Sequence, residues 1–164
     1  LNAMVEISHA RPDVRLVIAG NGTQAEHVER VRNEFGLTHH VIKAGWLPEA
    51  DLKALIAAAD AAVVPSLYEP FGLVALEAMS LGTPVVAART GGLADIVVDG
   101  ETGSTFVPGD ASNLAQTLLR VLAEPERAHS QAERATASLG RYDWSRIAAD
   151  TVGIYATTAH VGSA

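Results

Sequence analysis

The sequence predicts an α/β protein, a Rossmann-like doubly wound parallel sheet with helices on both faces. Short apolar runs alternate with stretches of helical spacing along all 164 residues. The runs are continuous rather than alternating, as in Ala61-Ala62-Val63-Val64 and Pro84-Val85-Val86-Ala87-Ala88. Strands of that kind are buried on both faces, which calls for helices on either side. The connections between runs are short and rich in glycine and proline, as βα units require.

Residues 1–11 read as a helix with Ala3, Met4 and Ile7 on one face, stopped by Pro12-Asp13. Arg15–Ala19 reads as a strand and Gly20-Asn21-Gly22 as a turn, with Thr23 capping a helix that Gly36 ends. Val41–Ala44 is a strand leading into the Gly45-Trp46-Leu47-Pro48 loop, and Asp51–Ala59 is helical. Ala61–Val64 is the next strand. The loop Ser66–Pro70 then opens a helix near Phe71, closed by Gly82-Thr83-Pro84. Pro84–Ala88 is a strand, Arg89-Thr90-Gly91-Gly92 a loop and Leu93–Val98 a short helix. Ser104–Val107 is the last strand. Helices follow with Leu114, Leu118, Val121 and Leu122 as an apolar stripe, then over Pro125–Leu139, then from Asp143 with Trp144, Ile147, Ile154 and Tyr155 on one face.

Composition excludes several classes of function. The chain is 48% hydrophobic and 19% charged, so it is globular, and its length suits one domain. Its net charge of −7 and scattered Lys and Arg argue against a nucleic-acid partner. There is no cysteine, which removes disulfides and thiolate chemistry and fits a cytoplasmic protein. No apolar run is long enough to span a membrane. The histidines (His9, His27, His39, His40, His129, His160) lack metal-binding spacing, and there is no D-x-D pair for a divalent ion. Trp46 and Trp144 read as packing residues.

Ligands of such sheets bind beyond the carboxyl ends of the strands. The loop with most chemistry there is Glu69-Pro70-Phe71-Gly72-Leu73. With a helix start near Phe71, the amides of Phe71, Gly72 and Leu73 are unpaired donors suited to phosphate oxygens. Pro70 pre-sets the first turn, and Gly72 admits a ligand close to the backbone. Glu69 repels phosphate, so it suits sugar hydroxyls, or else it merely complements the helix dipole. Glu77 sits in an otherwise apolar helix, on the order of 8 Å along its axis from the amides. A carboxylate there needs donors, supplied either by ribose hydroxyls or by a protein partner. Gly20-Asn21-Gly22-Thr23-Gln24-Ala25 fits a G-x-G-x-x-A fingerprint, but no acidic residue follows near positions 40–43, so a tight turn explains it better.

Glu69-Pro70-Phe71-Gly72-Leu73 with Glu77 eight positions after Glu69 resembles the E-x7-E motif of the GT4 (group 1) family of retaining glycosyltransferases. Pro65-Ser66, Glu77-Ala78-Met79, Gly82-Thr83-Pro84, Thr90-Gly91-Gly92, Asp99-Gly100 and Tyr142-Asp143-Trp144 are similar to that family as well. The resemblance implies the C-terminal, donor-binding half of a GT-B fold whose acceptor-binding N-terminal half is absent. It implies that Glu69 binds donor-sugar hydroxyls and is essential for transfer. Pro70, Phe71, Gly72 and Leu73 would line the sugar and diphosphate, Glu77 would bind ribose, and Gly45, Trp46 and Leu47 would lie against the base. The donor would be a nucleotide diphosphate hexose, glucose being favoured, with no metal. A nucleotide-sugar epimerase of related fold and a non-catalytic nucleotide-sugar-binding domain are the alternatives.

The sequence departs from the family in two ways. It has Asp95 where a Glu is usual, and it begins after the G-R-x-x-x-x-K-G segment that supplies Arg and Lys to the diphosphate. The expected sheet therefore lacks its first strand, and this piece alone is expected to be inactive and open to self-association.

Overall fold

A computed structural model describes residues 1–159. His160 lies outside them. The elements run α1 (Asn2–Ala10), β1 (Leu16–Ala19), α2 (Ala25–Glu34), β2 (Val41–Gly45), α3 (Glu49–Ala58), β3 (Ala62–Val64) and α4 (Leu73–Ser80). They continue through β4 (Val85–Ala88), α5 (Gly91–Ile96), β5 (Ser104–Phe106), α6 (Ala111–Ala123), α7 (Pro125–Ser138) and α8 (Trp144–Ala159). All strand pairs are parallel. β4 lies between β3 and β5, whereas β1 and β2 form a separate pair.

β4 divides the core. Val86 and Ala88 face one cluster with Met4, Ile7, Val41, Phe106, Leu118 and Val121, under α1 and α6. Val85 and Ala87 face the other, with Ala75, Ala78, Met79, Leu93 and Ile96 from α4 and α5. This is the two-sided burial that its unbroken apolar run predicts. α7 lies against α4, where the Thr136 hydroxyl donates to the Met79 carbonyl at 2.7 Å. The Thr83 hydroxyl, itself buried, donates to the Ile56 carbonyl at 2.8 Å and ties α3 to the loop before β4. Asp110 caps α6 by accepting the Asn113 amide at 2.9 Å.

Several expectations are corrected. β1 and β2 are not buried on both faces: Leu16 and Ile18 pack into the first cluster, but Val17 and Ile42 are exposed. The open strand edges expected from the sequence are present, since among the described residues β1 pairs only with β2, and β3 only with β4. α2 starts at Ala25 after Gln24, without a side-chain cap, so Thr23 is not its cap. α5 begins at Gly91, which places both glycines in its first turn rather than in a loop. Trp144 is 82% exposed and is not a packing residue. No helix among the described residues is long and apolar enough to cross a membrane.

Candidate functional site

The carboxyl ends of β3 and β4 face the same side of the sheet, because the strands are parallel and in register. The loop leaving β3 carries Glu69. α4 begins at Leu73, two residues later than the sequence suggests, because Gly72 adopts a left-handed conformation (φ 79°) that is not helical. Gly72 nevertheless caps the helix, its carbonyl accepting the Ala75 and Leu76 amides at 3.0 and 3.2 Å.

This conformation turns the Gly72 amide back onto Glu69 and not toward a ligand. It donates to Oε1 at 3.2 Å, while the Ser66 hydroxyl donates to Oε2 at 3.3 Å. The amides of Phe71, Leu73 and Val74 have no acceptor among the described residues. The free-donor set is therefore Phe71, Leu73 and Val74, not Phe71, Gly72 and Leu73. Glu69 is half-buried, and each of its oxygens is held by one donor. A carboxylate oxygen has two lone-pair directions, so one on each oxygen stays open to an incoming hydroxyl. Two anchored oxygens side by side suit a vicinal diol. Ser66 was legible in the sequence only as a neighbour of the motif. Its part in holding Glu69 needed the coordinates.

Glu77 is half-buried on α4, and its carboxylate makes no hydrogen bond or ion pair among the described residues. Lys53 on α3 is its nearest evident counter-charge. The Lys53 ammonium is held above its ordinary range first by a hydrogen bond and charge attraction from Glu49, at 2.5 Å, with the Glu77 charge adding to it. Lys53 is thus engaged by Glu49 and makes no ion pair with Glu77 among the described residues.

Pro70, Phe71 and Leu73 face solvent, and Phe71 is 73% exposed, so the loop forms one wall of a site rather than a closed pocket. The Gly45-Trp46-Leu47 loop stands at the end of β2, in the other sheet. Gly45 has φ 68°, and its carbonyl accepts the Gly20 amide at 2.6 Å, joining the two strand-end loops. Leu47 is half-buried, but Trp46 is 71% exposed, so it is a free aromatic face and not a packing residue. No hydrogen bond links this loop to the Glu69 loop among the described residues. Between α2 and the β1–β2 pair lies a groove of about 470 Å³, lined by Gly20, Asn21, Gly22, Lys43 and Gly45 among others. Spacing alone gave no sign of it beyond a tight turn. No cluster of His, Cys, Asp or Glu among the described residues has the arrangement of a metal site.

A family model described as glycosyl transferases group 1 matches residues 1–138. The chain belongs to this family. It is 40% identical over 159 residues to the glycogen synthase of Mycobacterium tuberculosis, covering 93% of this chain and 37% of that relative. It is 32% identical over 165 residues to the phosphatidyl-myo-inositol mannosyltransferase of Mycobacterium leprae, covering 99% of this chain and 43% of that one. Among solved structures, Anabaena HepE in complex with UDP-glucose superposes with a TM-score of 0.84 at 28% identity, over 95% of this chain and 43% of that one. This group 1 chain therefore has the fold of the C-terminal part of GT-B glycosyltransferases and spans about two fifths of such relatives.

The left-handed Gly72 is a constrained point of the site. A Cβ there would stand 2.9 Å from Ile96 Cδ1 and 3.1 Å from Leu93 Cδ2, in a backbone conformation that L-residues disfavour. Gly72→Ala is expected to destabilise the chain by about 1–3 kcal/mol in chemical denaturation, the range for strained backbone. An unchanged midpoint would show that the loop accommodates the methyl group.

Proposed function

We propose that this chain is the donor-binding half of a retaining hexosyltransferase that takes its sugar from a nucleotide diphosphate hexose. The observation that carries the proposal is Glu69, whose two oxygens are anchored by Ser66 and Gly72 while one lone pair on each stays open. Glu69 accepts hydrogen bonds from the donor-sugar hydroxyls. The amides of Phe71, Leu73 and Val74, at the positive end of α4, meet the diphosphate, and Glu77 accepts from the ribose. Trp46, with Gly45 and Leu47, offers the base its platform. Glucose is the favoured sugar, in keeping with the glycogen synthase likeness, and the mannosyltransferase likeness keeps the proposal at the level of a hexose.

Transfer proceeds with retention by attack on the front face. The acceptor oxygen bonds to the anomeric carbon as the bond from that carbon to the phosphate oxygen breaks. The departing diphosphate keeps the electron pair and takes the acceptor proton. No metal enters this scheme. The diphosphate charge is met by the helix end, worth about 1–2 kcal/mol, and by an Arg and Lys pair that the family resemblance places ahead of Leu1. The acceptor is bound by an N-terminal half outside this sequence, and the enzyme works in the cytoplasm.

Glu69→Gln in the full-length enzyme is expected to lower transfer by about 10²-fold or more, with nucleoside diphosphate affinity essentially unchanged. Turnover near the parent level would sink the assignment. Glu77→Gln should instead weaken ribonucleoside diphosphate binding about tenfold and leave the 2′,3′-dideoxy analogue unaffected, measured by calorimetry. Equal loss for both nucleotides would remove ribose from its role. The 164-residue chain on its own should show no transfer, weaker than millimolar donor binding and self-association through its open strand edges in sedimentation. Measurable transfer by a clean monomer would overturn this expectation.

A further inference from the structure

Thr90, Gly91 and Gly92 press on the Glu69 loop at successive points. The Thr90 hydroxyl donates to the Leu67 carbonyl at 3.2 Å, and the Gly92 amide donates to the Glu69 carbonyl at 2.8 Å. A Cβ on Gly91 would lie 2.2 Å from the Glu69 carbonyl oxygen. One on Gly92 would lie 2.7 Å from the Pro70 oxygen and 2.8 Å from the Phe71 oxygen, against an ordinary contact of 3.4–4 Å.

Every one of these neighbours is backbone of the motif, so no flexible side chain can step aside. Gly92 has no left-handed φ. Only the closeness of the loop requires glycine there. Beneath the contact α5 is immobile, because Leu93 and Ile96 are buried in the core cluster that also holds Val85 and Ala87 of β4. Glu77 stands on α4, which is anchored separately through Met79 to Thr136.

We propose that Thr90-Gly91-Gly92 is a clamp that fixes the height and tilt of Glu69 against the sheet, so that these three are positioning residues for sugar transfer. The inference rests on the function proposed above and adds to it. It divides the site into a sugar-facing part whose loop is clamped by α5 and a ribose-facing part carried by α4, the two helices sharing one core cluster. A displacement of the Glu69 loop by a fraction of an ångström to about 1 Å costs transfer on the order of 10²-fold, because geometry at the reacting carbon sets the rate.

The test uses the full-length enzyme, with Gly92→Ala, Thr90→Val and Thr90→Ser. Gly92→Ala is expected to lower kcat about 10²-fold. Affinity for the nucleoside diphosphate without sugar should fall far less than kcat, since the Leu73 and Val74 amides stay on α4 while only the Phe71 amide moves with the loop, and thermal unfolding should still be cooperative. Thr90→Val, which removes one hydrogen bond, should lower kcat about threefold to tenfold, and Thr90→Ser should restore it. If Gly92→Ala turns over like the parent, or loses nucleoside diphosphate affinity in step with kcat, the clamp is overturned. Thr90→Ser behaving like Thr90→Val overturns it too, and this arm remains readable if Gly92→Ala fails to fold. A parent enzyme with no transfer from any nucleotide sugar would sink the functional reading and the clamp together, and is told apart by the parent alone.

Discussion

The structure depends on the burial of β4 on both faces. Val85, Val86, Ala87 and Ala88 are each almost wholly excluded from solvent, and alternate residues feed separate clusters. Burying four consecutive side chains leaves no room for a polar residue within the strand, so the polar chemistry is displaced to its ends. At the N-terminal end Thr83 reaches Ile56, and at the C-terminal end the chain turns into Thr90-Gly91-Gly92 beneath the Glu69 loop. The same strand that seals the core thereby sets the level at which the site is built.

Much of this was legible in the residues. Continuous apolar runs of β-branched residues and alanine marked β3 and β4, and Gly and Pro marked the connections where the strands end. The start of α4 was misplaced because Pro70 and Phe71 satisfy every local rule for a helix start, whereas Gly72 takes a left-handed conformation in which an added Cβ would stand 2.9 Å from Ile96 Cδ1 and 3.1 Å from Leu93 Cδ2. Leu93 and Ile96 are distant in sequence, and helix signals carry no information on them. The two-sided burial assigned to β1 and β2 failed for a similar reason. Val17 and Ile42 have the right character for a covered strand, but coverage belongs to the neighbours and not to the strand. Glu69 and Glu77 stood out because a carboxylate in apolar surroundings is costly, a property visible residue by residue. That Ser66 and the Gly72 amide hold Glu69 was invisible, since both contacts depend on the path of the loop and not on residue type alone.

The two glutamates also differ in how their charge is treated. Glu69 receives two hydrogen bonds from its own loop and stays aimed, whereas Glu77 has none and feels only the field of a lysine already paired with Glu49. An anchored carboxylate discriminates among donors by geometry. An unanchored one adapts to them, with less loss when the ligand shifts. The wall formed by Phe71 and Leu73 is open to solvent.

The packing of α1 onto α6 has a consequence for synthesis. Glu6 meets Ser112 across 106 residues of chain, and Met4 and Ile7 share a cluster with Leu118 and Val121. α1 leaves the ribosome well before α6, and its apolar side then waits for that partner. Contacts of such long separation form late, after the loop-closure entropy has been met. The β3–α4–β4–α5 segment, whose contacts are local, has what it needs to assemble much earlier. The β3–α4–β4–α5 stretch that carries Glu69 and Glu77 is thus ready to take shape before α1 has found its place.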